Sequence, residues 1–148
     1  MSTAIKQKKS TQYKTISGHI LCEAIPPNFP ICSVSKGYCD LTGYQPEEII
    51  GLSSNFLQGP NTQPDIINNI RRAINKGESF SGNIINYRKD GTQFSNQLTI
   101  EPIYNAKGEI THFMGIQSGK IHINKAPIFT PNKQPFTLKN KLKNKTSY

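Results

Sequence analysis

The sequence predicts an α+β domain, with short helices packed on one face of a five-stranded antiparallel sheet. Three observations predict it. Two short apolar runs come first, then a stretch punctuated as short helices, then three longer β-patterned runs. The last three runs are joined by Lys89-Asp90-Gly91-Thr92 and Asn105-Ala106-Lys107-Gly108, and Asp-Gly between strand patterns signals a hairpin. No regular alternation of strand and long helix occurs, which argues against a parallel βαβ array.

The elements follow in order. His19–Glu23 and Ile31–Val34 are strands, separated by a loop holding Pro26, Pro27 and Pro30. Ser35 caps a short helix through Thr42, closed by Gly43. Pro46 with Glu47 and Glu48 suits the first turn of a second helix, ended at Gly51. Asp65–Lys76 is the longest helix: Pro64 precedes it, Ile66, Ile67, Ile70 and Ile74 form its stripe, and Gly77 follows. Phe80–Arg88, Gln93–Tyr104 and Glu109–Gln117 are the remaining strands.

The chain has 148 residues, the length of one domain, and a formal charge of +9. The charge is uneven. Residues 1–18 carry four Lys and no acid, residues 120–148 seven Lys and no acid, and residues 19–119 seven bases against nine acids. This divides the chain into a disordered basic lead (1–18), a folded domain (19–119) and a basic, disordered tail (120–148) with a short extended piece near Ile121–Ile123. A nucleic-acid face should put its charge on the fold, so nucleic acid is not the expected partner. No run approaches the roughly 18 apolar residues of a membrane span. The opening MSTAIKQKKSTQYK has no apolar signal core, so a cytoplasmic protein is expected. Cys22, Cys32 and Cys39 are odd in number and lack C-x-x-C spacing, which argues against a disulfide framework or zinc site. His19, His112 and His122 have neither ligand spacing nor a paired nucleophile, so no enzyme is expected.

Strand parity adds a sharper signal. Phe94, Asn96, Leu98 and Ile100 share one face of their strand. Asn86 shares a face with Phe80 and Ile84, and Gln117 with Phe113 and Gly115. Three side-chain amides thus stand among apolar neighbours on three successive strands. Each costs on the order of 1–3 kcal/mol if buried without a partner. Either they satisfy the backbone and one another, or they form a polar edge for a planar heteroaromatic ring, with Gly115 leaving room beside it. On the helical side, Gln58 precedes the Gly59-Pro60 loop, and Arg71 on the long helix could hold a phosphate.

Together these segments resemble the LOV subgroup of PAS domains, flavin-binding blue-light sensors. The resemblance is carried by SKGYCDLTGYQPEEIIG (35–51), NFLQGPNT (55–62), INNIRRAI (67–74), INYRKDGTQFSNQLTIEP (85–102) and HFMGIQ (112–117). It covers essentially all of 19–119 and implies the PAS/LOV fold. It also implies FMN between sheet and helices, with Asn86, Asn96 and Gln117 on its pyrimidine edge. Gln58 would meet the ribityl chain and Arg71 the phosphate.

The departures fall on the family motif G-x-N-C-R-F-L-Q, here Gly51-Leu52-Ser53-Ser54-Asn55-Phe56-Leu57-Gln58. Ser54 stands at the photoactive cysteine, Ser53 at a ribityl contact, and Asn55 at the second phosphate Arg. Leu98 stands at a ring-contacting Phe, and Ser95 replaces the usual Trp. A thiol is intrinsically nucleophilic, an unactivated hydroxyl is not, and no base is placed to activate Ser54. The usual cysteinyl-flavin adduct is therefore not expected there. Two routes remain: photoreduction with rearrangement of Gln117, an electron coming from Tyr38, Tyr44, Tyr87 or Tyr104, or a substitute thiol at Cys22, whose other reading is a small buried hydrophobe. Losing one Arg opens the site to riboflavin or FAD beside FMN. The expected function is a FMN-binding sensory module signalling light or redox state through a homodimer or a separate effector protein. Its alternative is a cofactor-free PAS interaction module.

Overall fold

A computed structural model describes residues 12–123. Strands β1 (Tyr13–Glu23) and β2 (Ile31–Val34) lead into helices α1 (Lys36–Thr42) and α2 (Pro46–Ile49), a 3-10 turn (Ser54–Leu57) and helix α3 (Pro64–Lys76). Strands β3 (Phe80–Tyr87), β4 (Gln93–Tyr104) and β5 (Ile110–His122) follow. They form one sheet in the order β2-β1-β5-β4-β3, with every pairing antiparallel.

Local chemistry sets the boundaries. Ser35 caps α1: its hydroxyl accepts from Tyr38 N at 3.2 Å and also from His19 N at 2.9 Å, tying helix to β1. Helix α1 lies flush on that strand, because a Cβ at Gly18 would come within 2.0 Å of Tyr38 N. Pro64 is the first helical residue of α3 rather than its predecessor, since its missing N–H costs nothing there. Asp90 Oδ1 accepts from Thr92 N at 2.9 Å in the β3–β4 turn, and Asn105 Oδ1 from Lys107 N at 2.9 Å in the β4–β5 turn.

The strand boundaries correct the expected division of the chain. β1 starts at Tyr13, not His19, and β5 runs to His122, not Gln117. Residues 13–18 are therefore strand rather than disordered, and the extended piece expected near Ile121–Ile123 is the end of β5, paired from Tyr13↔His122 to Gly18↔Gln117. Their side chains are mostly polar, so hydropathy is silent; the pairing between chain-distant segments defines them. The remaining parts of the two basic segments, 1–11 and 124–148, lie outside the described residues. The 3-10 turn at Ser54–Leu57 is also new, and among the described residues no helix is long and apolar enough to cross a membrane.

The helices and the inner face of the sheet enclose two hydrophobic clusters. One joins Ile20, Ile31, Tyr38, Tyr44, Ile49 and Phe56 around α1 and α2. The other joins Ile70, Ile74, Ile84, Ile100 and Phe113 beneath α3. A small domain normally closes on one contiguous core. Here a cavity touches both clusters.

Candidate functional site

The cavity holds about 570 Å³ of space free of protein atoms, counted out to its mouth. The part of it that a ligand atom could occupy as the walls stand is about 50 Å³, below the roughly 300–1,000 Å³ of small-molecule sites, so a bound ring would need the walls to part. Its floor is the inner face of β1, β5, β4 and β3; Ser54 and Leu57 from the 3-10 turn and Ile74 from α3 also line it.

One end is polar. Asn86, Asn96 and Gln117 all line the cavity and are 3%, 1% and 3% exposed. Asn96 Nδ2 donates to Asn86 Oδ1 at 2.9 Å, and Asn86 Nδ2 donates to Leu57 O at 3.2 Å. The second bond fixes the 3-10 turn to β3. Gln117, with its amide turned to satisfy its neighbours, donates to Gly18 O at 3.1 Å and Gly115 O at 3.2 Å. The first alternative open in the sequence is thus present in part: the amides partly satisfy one another and the backbone. One atom is left over. Asn96 Oδ1 is buried without a hydrogen-bond partner among the described residues. An orphaned buried acceptor costs on the order of 1–3 kcal/mol, which a ligand N–H would recover. Gln58 Nε2 is likewise buried and unpartnered. Gly115 keeps the floor low, since a Cβ there would come within 3.1 Å of the Gln117 amide.

The other end is apolar. Antiparallel register sets Cys22 opposite Phe113, whereas Gln117 faces Gly18. Cys22 therefore lies four residues along β5 from the amide, about 13 Å at the usual strand rise. Its thiol is pushed up to about 12 by burial first and by Cys32 second. Phe29, Ile100 and Phe113 complete this end.

The PAS domain family model matches residues 18–118. The chain belongs to the PAS domain family, and within it to the LOV type. It is 38% identical over 117 residues to rice Phototropin-2, covering 79% of this chain and 13% of that protein. It is 43% identical over 100 residues to the Blue-light photoreceptor of Listeria innocua, covering 68% of this chain and 39% of that one. The light-state structure of the Aureochrome1 LOV photoreceptor superposes with a TM-score of 0.65 at 30% identity, over 84% of this chain and 91% of that one. The chain thus spans a small part of the phototropins it resembles.

Other sequence-selected residues of this LOV domain are more scattered. Ser54 and Leu98 line the cavity, as does Cys22. Ser53 caps the 3-10 turn, its hydroxyl accepting from Asn55 N at 3.4 Å. Asn55 is half-buried on that turn. Arg71 is half-buried on α3, and its guanidinium donates to Asn68 Oδ1 at 3.5 Å. Gln58, Ser53, Asn55 and Arg71 do not line the cavity. Of the tyrosines, Tyr38, Tyr44 and Tyr87 are buried and Tyr104 is 55% exposed. Burial, then Glu48 and Asp90, push the Tyr44 phenol up to about 12. Among the described residues no group of three or more His, Cys, Asp or Glu could hold a metal ion. Sequence reading missed Phe29 and Ile74 as lining residues: Phe29 sits in a proline loop, and Ile74 is indistinguishable from its core-packing stripe.

Proposed function

We propose that this LOV domain is a flavin-binding sensory module whose light or redox response forms no cysteine–flavin bond at Ser54. One observation carries the reading: Asn96 Oδ1, buried and unpartnered on the cavity floor beside two further amides. Such an acceptor suits a ligand N–H, and the pyrimidine edge of a flavin offers one between two carbonyls. Asn86, Asn96 and Gln117 would hold that edge. Gln58 would take the ribityl chain and Arg71 a phosphate. FMN is the flavin the family resemblance favours, with riboflavin and FAD as the alternatives because Asn55 brings no second cation.

A bound flavin supplies blue-light absorption and one-electron chemistry. The chain supplies recognition and a way out. Gln117 bridges the cavity and the β1–β5 ladder through its bond to Gly18 O. Turning its amide over would set its oxygen against the carbonyls of Gly18 and Gly115 and lose both bonds. Each buried group left unmet costs about 1–3 kcal/mol, enough to shift the pairing of β5. Ser54 offers a hydroxyl with no base to activate it, and so stays unreactive. Cys22 is a protonated thiol at the far, apolar end of the cavity, and packs rather than reacts. Output passes through a second copy or a separate effector; Ile116, 47% exposed, gives the outer face of the sheet an apolar foothold for either.

The test is the absorption spectrum of the purified chain, before and after blue illumination, with and without added FMN. A structured flavin band in the dark, with a new long-wavelength band after light, is the expected result. Complete loss of visible absorption that recovers in darkness would return Cys22 to the reaction. A colourless protein that takes up no FMN would leave the cofactor-free PAS interaction module as the function.

A further inference from the structure

We infer that the outer face of the sheet carries a second site, a polar groove running from Tyr13 to Asn83 that takes a single-stranded nucleic acid. It lies on the other side of the sheet from the cavity and does not depend on the flavin reading.

The first observation is where the charge is attached. Along the chain the basic segments stand apart from the fold. The pairing of β1 with β5 brings their attachment points together. Gln12 and Ile123, the first and last described residues, are joined by a backbone bond, Ile123 N donating to Gln12 O at 3.0 Å. Residues 1–11 carry three Lys, residues 124–148 carry six, and neither segment carries an acid. Residues 12–123 hold nine bases and nine acids, so the whole formal charge of +9 is tethered at one corner of the sheet. Charge tethered in this way repels a second copy and attracts a polyanion.

The second observation is what that corner opens onto. Tyr13 and His122 form the end of the groove, paired across β1 and β5 with ring centroids 4.1 Å apart and planes at 46°. Lys120 stands two residues further in. A polar row then crosses the sheet in register: Asn83 faces Gln97, and Gln97 faces Ser118. Asn83, Gln97 and Lys120 are exposed, and no Asp or Glu is among the described lining residues. The groove offers about 400 Å³ to a ligand as its walls stand, against about 50 Å³ in the cavity on the inner face.

Each part suits one part of a single strand. Lys120 and the tethered lysines meet phosphates. Tyr13, 54% exposed, offers a ring on which a base can stack. The side-chain amides of Asn83 and Gln97 offer donors and acceptors to base edges. A single strand presents those faces and edges, which a duplex hides in its stack. An anionic bilayer carries the charge but offers nothing for the ring and the amides to read. The exposed Ile116 lies two residues along β5 from Ser118, so the apolar foothold and the groove occupy different parts of the outer face.

The experiment titrates the full chain into a fluorescently labelled oligouridine of about ten nucleotides and follows anisotropy. Binding is expected at low salt, weakening at least about tenfold between roughly 50 and 200 mM salt. Tyr13→Ala leaves the net charge unchanged and should weaken binding about tenfold, the loss of one stacked base. Gln97→Glu sets an acid in the groove and should weaken it by about tenfold or more. Lys107→Gln makes the same change in net charge in the β4–β5 turn, at the far end of those strands, and should stay within about twofold of the parent. Parent-like binding by both groove variants would assign the affinity to the lysines alone and overturn the site. If Tyr13→Ala fails to fold, Gln97→Glu weakening binding no more than Lys107→Gln overturns it. A duplex of equal length competing as well as the single strand would also overturn it. So would an oligouridine left unbound at low salt, including where vesicles of phosphatidylserine in phosphatidylcholine capture the chain.

Discussion

The floor and the roof of the cavity keep the LOV pattern to different extents. The floor, built by β1, β5, β4 and β3, keeps the three amides Asn86, Asn96 and Gln117, all buried and all lining the cavity. The roof, built by the 3-10 turn, has exchanged the motif's Asn-Cys-Arg for Ser53, Ser54 and Asn55. Under the proposed function the floor would read the edge of a ring, whereas the roof, in the family pattern, reacts with it and anchors its phosphate. The proposed function thus makes recognition and reactivity separable in this chain. The physical reason lies in their supports. The floor amides are interlocked, Asn96 to Asn86 and Asn86 to Leu57 O, so losing one strands another. Among the described residues Ser54 takes no part in that network.

Four experiments break or sharpen this contrast. Ser54→Cys restores the missing thiol to an intact floor. It is expected to convert a chain without dark-recovering bleaching into one that loses its visible absorption in blue light and regains it in darkness. Absorption spectroscopy through one light–dark cycle checks this. Asn96→Leu attacks the floor: it removes the unpartnered acceptor and strands Asn86 Oδ1. FMN affinity should fall by about 10- to 100-fold in a fluorescence titration, with the roof untouched. Asn55→Arg returns a cation to the roof. It should tighten FMN by roughly tenfold and leave riboflavin unchanged, with the gain fading as salt is raised. Paired titrations at two ionic strengths separate the phosphate from the ring.

The smallest effect is a control on the helical side away from the cavity. Glu48 accepts from Gln45 N at 2.8 Å and pairs with Lys89; these contacts, the backbone bond first, hold its carboxyl below the usual range. A depressed carboxylate contributes stability above its unfolded pKa, lost as pH falls through the folded one. The pair is partly exposed, so Glu48→Gln should lower the melting temperature by about 2 °C at neutral pH. That difference should close in acid, and FMN binding should not change. Thermal melts across the carboxylate range check it.

Most of the fold was legible because its punctuation is local. Ser35, Gly43, Pro46 and Gly77 mark helix ends through groups within a few residues of themselves. The two turns are closed by Asp90 and Asn105, again locally. Parity placed the three amides on the inner face because side chains alternate strictly along a strand. What escaped was long-range. The polar ends of β1 and β5 are strands because Tyr13 meets His122, with ring centroids 4.1 Å apart. The turn at Ser54–Leu57 is held by Asn86, 29 residues away. Phe29 lay in a segment marked only by its prolines.

By itself the sequence determined the α+β class, the order of elements, the amide set and the loss of the thiol at Ser54. These depend on residue identity, alternation and capping, which are properties of neighbours along the chain. Only the tertiary structure decided that Asn96 keeps an orphaned oxygen, that Cys22 lies at the opposite end from Gln117, and that Phe29 reaches the cavity. Each of those depends on which strands pair, in what register, and which groups burial leaves unmet. Hydrogen-bond satisfaction is a sum over neighbours in space, and the chain order does not contain that sum until it has folded.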